Sequence, residues 1–480
     1  MLRSLFSNGN TPSVLWGLFL VSSLSAMFIV AGFPVQPLVL LALIAALLFA
    51  YRSIYFSMYL GFALTPVLGV LLSIPTGSLL FGQRAFGGSI DVSIGEVILF
   101  IVLFAWACKL LFLWQRRNDR NWIPRLPLLG SYAALVGAHF LSALSRLQPD
   151  PVLIAKFSLR PVLFDYLAFI ALPVNLIRSR RRLVAAMTAL AIVGTLAALD
   201  GFVSIFFPHA GASIGRAHPL SIFGVSMLGE NQNELADLLV WTAPFTFALA
   251  YLIQLKQQRL VRLVAFAGAF QVLIGLLTFT RTIWIVFMVQ AIFLASTVWR
   301  ESLKKHAQEL AVVALILFPL AIGMGFYAVS DTAKSSNSTR TMLTQIAVQL
   351  FLTSPIVGVG AGTFYDRVGS TSVFALEYGA PLDSHGFLQK IMAETGIIGL
   401  IALLFVIIQC MKICSASWKD IRHSTWREPF ILCMVGASGA CMYQIFNTDY
   451  WTGKMWLPVG IMLAASYVLR KTDQEEQSAV

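Results

Sequence analysis

Runs of about 20 apolar residues recur along this chain, and no other feature narrows its possible folds so far. That is the length an α-helix needs to cross the hydrocarbon core of a bilayer. Using span length and apolar continuity as the criteria, about fourteen segments qualify. They centre on residues 13–33, 35–50, 54–73, 93–114, 128–145, 159–177, 184–207, 233–254, 263–280, 283–299, 309–330, 391–411, 429–446 and 455–469. The first pair and the ninth–tenth pair have very short connections. The expected fold is therefore all-α: a polytopic integral membrane protein with about 12–14 transmembrane helices and one long outer loop that itself contains helices. Composition agrees and excludes a soluble enzyme. Apolar residues make up 58% of the 480 and charged residues 12%, against about 25% charged in soluble domains.

The formal charge of +12 reads as topology and not as nucleic-acid binding, because Lys and Arg in short cytoplasmic loops orient membrane proteins. With a cytoplasmic N-terminus, alternate loops should be basic. Arg116, Arg117, Arg120 and Arg125 follow the fourth span. Arg178, Arg180, Arg181 and Arg182 follow the sixth, and Lys256, Arg259 and Arg262 the eighth. Arg300, Lys304 and Lys305 follow the tenth, and Lys412, Lys419, Arg422 and Arg427 the twelfth. No loop is out of phase, so both termini are expected to be cytoplasmic. Only Arg3 precedes the first span and no small-residue cleavage site follows it, so this segment reads as a retained helix. The five cysteines fall in or beside spans. Cys410 and Cys414 lack neighbouring His or Cys in sequence, so they read as buried free thiols and not as metal ligands.

Against that pattern the arginines expected on the outer face stand out: Arg84, Arg146, Arg160, Arg216, Arg281, Arg340 and Arg367. Arg281 lies in Thr280-Arg281-Thr282, between two apolar runs with almost no loop. A charge at that depth is a snorkelling anchor or an anion site. Ionisable residues inside spans are Lys109, Asp165, Asp200, Glu234 and Asp237. The polar cluster Glu230-Asn231-Gln232-Asn233-Glu234 opens the eighth span, as a helix cap or as the lip of a sugar-binding site.

The one long polar interruption runs over residues 331–390. Within it, 339–352 (TRTMLTQIAVQLFL) has apolar residues at helical spacing and carries Arg340. Ser354-Pro355 should stop that helix. The glycines at 358, 360 and 362 allow a tight path, but lack the spacing of a nucleotide-binding loop. Asp383-Ser384-His385 then opens a helix from Gly386 to Met411. Asp383 or Ser384 is the expected N-cap and His385 falls in the first turn, where the helix dipole disfavours imidazolium. His385, Gln389, Met392 and Gly396 share one face, and Gly396 should let another helix approach. Arginine grips phosphate and stays charged, and a neutral histidine can accept a proton. Two arginines and a histidine at a membrane interface thus fit transfer of a glycan from a lipid-linked pyrophosphate.

Three stretches carry a resemblance: TFTRTIWIVF around Arg281, STRTMLTQIAVQLFLTSPIVGVGAGTF with Arg340, and SHGFLQKIMAETGIIG with His385, Gly396 and Gly399. Together with GENQNELADLLVWTAPF (229–245), they resemble the bacterial O-antigen ligase/polymerase superfamily, polytopic glycosyltransferases of the GT-C class. Gly386 departs from the Asn, Ser or Gln usual after the histidine. The resemblance implies a metal-independent, inverting transfer from undecaprenyl pyrophosphate on the periplasmic face of the bacterial inner membrane. The acceptor would be lipid A-core or a growing O-antigen or exopolysaccharide chain. It implies that Arg281 and Arg340 bind pyrophosphate and that His385 is the base. Arg216, His218, Asn233 and Gln389 are further substrate-binding candidates. No cofactor, metal or nucleic acid is expected. The chain divides into N-terminal spans (1–230), central spans with the Arg281 turn (231–330), the periplasmic loop with the catalytic motif (331–390), and C-terminal spans with a cytoplasmic tail (391–480). The competing readings are a polysaccharide flippase or transporter, and a non-catalytic subunit of a polysaccharide export complex.

Overall fold

The computed structural model describes residues 36–66, 71–75, 89–115, 123–145, 160–207, 216–222, 225–229, 231–254, 258–298, 331–369, 386–447 and 452–478. The expected spans at 13–33 and 309–330 lie outside the described residues. In chain order come α1 (Gln36–Arg52), α2 (Ile54–Leu64), β1 (Leu71–Pro75), β2 (Ser89–Ser93), α3 (Ile94–Gln115), α4 (Leu129–Leu144) and α5 (Pro161–Leu176). Then come α6 (Arg180–Ser204), β3 (Ser221–Ile222), β4 (Val225–Ser226), α7 (Gln232–Ile253), α8 (Gln258–Leu277) and α9 (Arg281–Thr297). The last are α10 (Asp331–Thr353), α11 (Phe364–Gly369), α12 (Phe387–Ile421), α13 (Arg427–Ile445) and α14 (Gly453–Ser478).

The all-α membrane architecture expected from the sequence is present. Among the described residues, α3, α6, α7, α8 and α12 are long and apolar enough to cross a bilayer, and α4, α5 and α9 are shorter apolar helices. Four boundaries differ from expectation, the first being the loop helix expected over 339–352, which already starts at Asp331. The apolar run 54–73 is not one helix: α2 ends before Thr65-Pro66, and 71–75 instead pairs antiparallel with 89–93. Proline has no N–H to continue the helical ladder. α1 and α2 meet at a bend of 114°. The helix expected to end at Met411 continues to Ile421, and the C-terminal tail is helical to Ser478. The polar extensions of these two helices are joined by an ion pair, Arg470 to Asp420 at 2.6 Å.

Two compact units divide the chain. One comprises residues up to Gly61 together with Glu96–Pro124; the other holds Phe62–Gly95 and everything from Arg125. In the first, a Cβ on Gly61 would meet the Leu99 side chain at 2.7 Å, so α2 and α3 touch closely. The second is a helical bundle arranged around α7. Nearly every side chain of α7 from Leu235 to Leu252 is buried, and it packs against α6, α8 and α13. Pro244 interrupts α7 and leaves the carbonyl of Val240 without its usual donor. Gln290 of α9 supplies one: its Nε2 donates to Val240 O and to Val435 O, both at 3.2 Å. One amide thereby fixes α9 to α7 and α13. Position 439 must be glycine for it to fit, because a Cβ would lie 2.0 Å from that Nε2.

The second organising feature is a break in α12. Gly396 has φ 61 and ψ −154, a conformation open essentially to glycine alone. The break disrupts the helical ladder, and the glycine run 358–362 fills it. Val359 N donates to Ala393 O (3.0 Å), Gly360 N to Glu394 O (3.2 Å), Ile397 N to Pro355 O (2.9 Å) and Ile398 N to Ile356 O (3.3 Å). A Cβ on Gly358 would lie 2.2 Å from the Glu394 backbone, and one on Gly396 would lie 2.5 Å from Ile356 O. Gly396 was expected to admit another helix; it admits a loop. The buried Glu394 side chain also accepts from Phe364 N at 3.1 Å, at the start of α11, and Ser142 of α4 donates to the Glu394 carbonyl. Beside this knot, Leu343, Ile346 and Ala347 of α10 pack with Phe364, Val368 and Ala393. The apolar face of α10 is therefore covered by protein.

Candidate active site

The polar site lies at the end of the bundle where α7, α9 and α12 begin and α13 ends. It is built first from the turn between α8 and α9. Three residues make the turn, with Phe279 in the left-handed region at φ 51. Thr278 Oγ1 donates back to Gly275 O (2.7 Å), and Trp284 Nε1 donates to Leu276 O (3.1 Å). Arg216 closes the turn from outside. Its Nε donates to Thr278 O at 2.7 Å and its terminal nitrogen to Phe279 O at 3.4 Å, while Ala217 N reaches Leu277 O at 2.9 Å. A cation on the last carbonyls of a helix both caps them and suits the dipole. This clamp sets Arg281 as the first residue of α9.

Arg340 arrives from the third turn of α10. It is half-buried, and its Nε makes no hydrogen bond among the described residues. Burial holds its guanidinium below the ordinary arginine range, and the nearby charge of Arg281 adds to that. Tyr443 acts in the opposite sense. The two arginines singled out from sequence thus stand within electrostatic reach, on helices separated by a long stretch of chain. One turn on, Thr344 Oγ1 accepts from Gln389 Nε2 at 2.7 Å, joining α10 to the first turn of α12.

Asn233 lies beside the turn that presents Arg281. Asn231 caps α7 by accepting from Asn233 N at 2.9 Å, so the capping reading of the polar cluster holds there. The Asn233 side chain accepts from Thr280 Oγ1 (3.3 Å), and its carbonyl accepts from Tyr443 Oη (2.8 Å). One turn deeper, Asp237 accepts from Gln444 Nε2 at 2.9 Å and faces Lys454 Nζ at 3.9 Å. His218 is buried beside the Arg216 clamp, with its backbone N on Ser204 Oγ (3.0 Å) and Nδ1 3.1 Å from Arg216 O. It and Arg216 are engaged in building the turn.

His385, with Asp383 and Ser384, lies outside the described residues. The helix that follows starts at Phe387 and its cap position is Gly386, where the sequence pointed to Asp383 or Ser384. Glycine is needed there because a Cβ would meet Ile445 O at 2.8 Å. The departure from a larger residue after the histidine thus has a packing cause at the end of α13. Sequence reasoning missed Thr280, Thr344, Tyr443, Gln444 and Lys454. The only signal was polar side chains at the ends of apolar runs. Among the described residues, no three His, Cys, Asp or Glu side chains gather where they could hold a metal ion.

These features define a multi-pass helical membrane protein with a polar site, cationic on one wall, at one end of its bundle. Residues 263–404 match the family model described as O-antigen ligase. The matched stretch is similar to that family and contains Arg281 and Arg340. It runs from within α8 to the middle of α12 and includes the knot, under a third of the chain, and leaves out Arg216, His218, Asn233 and Tyr443. No curated protein matches the chain.

Proposed function

We propose that this protein transfers a glycan from undecaprenyl pyrophosphate to a sugar hydroxyl of lipid A-core or of a growing polysaccharide chain, on the periplasmic face of the bacterial inner membrane. The observation that carries the reading is the convergence of Arg281 and Arg340 at one bundle end. Two like charges in a half-buried setting repel one another, and a bridging dianion removes that repulsion. A lipid-linked pyrophosphate supplies such an anion at membrane depth.

In this reading the arginines hold the pyrophosphate and neutralise charge as the bond from the anomeric carbon to the phosphate oxygen breaks. The acceptor oxygen forms its bond to that carbon from the opposite face, inverting it. The hydroxyl proton passes to His385, and undecaprenyl pyrophosphate leaves. Gln389 and Asn233 line the approach of neutral sugar hydroxyls.

The test is a glycan profile of a deletion strain carrying wild type or His385→Ala. A bare lipopolysaccharide core, with polymer retained on undecaprenyl pyrophosphate, is the outcome for a ligase. Single repeats without long chains are the outcome for a polymerase. A wild-type profile from His385→Ala rejects the histidine as base.

A further inference from the structure

Tyr443 is fully buried at the last turn of α13, inside an apolar helix where a hydroxyl needs a reason. Its Oη donates to the main-chain carbonyl of Asn233 at 2.8 Å. The side chain of the same asparagine takes Thr280 Oγ1 at 3.3 Å, and Thr280 is the residue before Arg281. Two residues after Tyr443, the Ile445 carbonyl abuts Gly386, the residue after His385. Arg340, Asp237 and Glu234 all interact electrostatically with the phenol. The last turn of α13 thus bonds to the start of α7 through Tyr443 and abuts Gly386 through Ile445.

We infer that Tyr443 is a positioning residue: through Asn233 it ties the starts of α7 and α9 to the end of α13, and so sets where the Arg281 guanidinium stands beside Arg340, which the phenol faces. Because its proton is given to a backbone carbonyl, the hydroxyl does not donate to substrate. Its effect reaches the reaction through Arg281 and Arg340. This inference rests on the transferase reading above.

The probe is inorganic pyrophosphate as a competitive inhibitor of transfer by the purified full chain. Tyr443→Phe keeps the ring and its packing and removes one hydrogen bond. It should weaken pyrophosphate inhibition about tenfold, the size of one buried bond. KM for the lipid-linked donor should rise in parallel, with KM for the acceptor unchanged. A merely structural defect would move both KM values alike. If Tyr443→Phe does not fold, Thr280→Val cuts the other end of the strut and should cost about threefold in the same assay. Wild-type inhibition in a folded variant overturns the inference. If the wild-type chain itself shows no transfer from the lipid-linked donor, the transferase reading falls; if it transfers and Arg340→Ala keeps wild-type inhibition, only the arginine assignment falls, and the failures are told apart.

Discussion

Arg281 owes its place to main-chain chemistry. Its neighbours Thr278 and Phe279 give their carbonyls to Arg216, so one arginine organises the turn and another is presented by it. Substitution should separate these roles. Arg281→Ala is expected to lower transfer about 100-fold or more, with little change in thermal midpoint, since it removes charge-assisted bonds to an anion. Arg281→Lys should recover only part of this, because an ammonium lacks the planar fork. Arg216→Ala should instead lower stability by about 1–3 kcal/mol, leaving buried carbonyls unsatisfied, and should lower transfer less than Arg281→Ala does. Activity and melting curves on the same preparations check the order. Gly386 offers a third test. Gly386→Ala places a Cβ near Ile445 O and should cost about 1–3 kcal/mol through overpacking.

At the scale of elements, the break in α12 is the feature that most shapes the site. Its first turns carry Gln389 towards Thr344 and hold Gly386 against α13, while the rest of the helix runs on to Ile421. A straight helix could not do both. Gly396→Ala forces a side chain into a glycine-only conformation and against Ile356 O, with an expected cost of about 2–4 kcal/mol. The control is Gly137→Ala in α4, where a Cβ meets nothing within 4 Å. That change should leave stability equal or raise it by about 0.5–1 kcal/mol, since alanine is the better helix former. Thermal unfolding in detergent reads both. The glycine run and the spacing of Gly396 were visible in the sequence, and Pro355 did end α10. That the run fills a break in α12 was not legible, because complementary backbone bonds leave no mark on side-chain periodicity.

For the whole molecule, apolar run length was enough to give the fold class, because a bilayer allows few alternatives. The two arginines were legible for a related reason: charge is conspicuous where composition is apolar. Tyr443 and Lys454 were not, since each gains its meaning from a contact across the bundle. The bundle also separates charge between its ends. Arg281 and Arg340 stand where α7 and α9 begin. At the far end of the same helices, Arg180 donates to Leu252 O (2.6 Å) and stacks 4.5 Å over Trp426, and Arg427 donates to Thr297 O (2.8 Å). α7 has 22 residues, about 33 Å at 1.5 Å per residue, enough to set the two ends on opposite sides of a hydrocarbon core. On the positive-inside tendency we propose that the Arg180 end faces the cytoplasm and the Arg281 end the other side. Two exposed positions test this, Met227 at the site end and His423 at the far end. In a background with the five native cysteines replaced, Met227→Cys should react with a membrane-impermeant maleimide added to cells with a permeable outer barrier. His423→Cys should react only after the inner membrane is opened. The reverse pattern would put the arginine pair in the cytoplasm, away from any lipid-linked glycan displayed outside, and would remove the ground for a periplasmic transferase whatever the arginines bind.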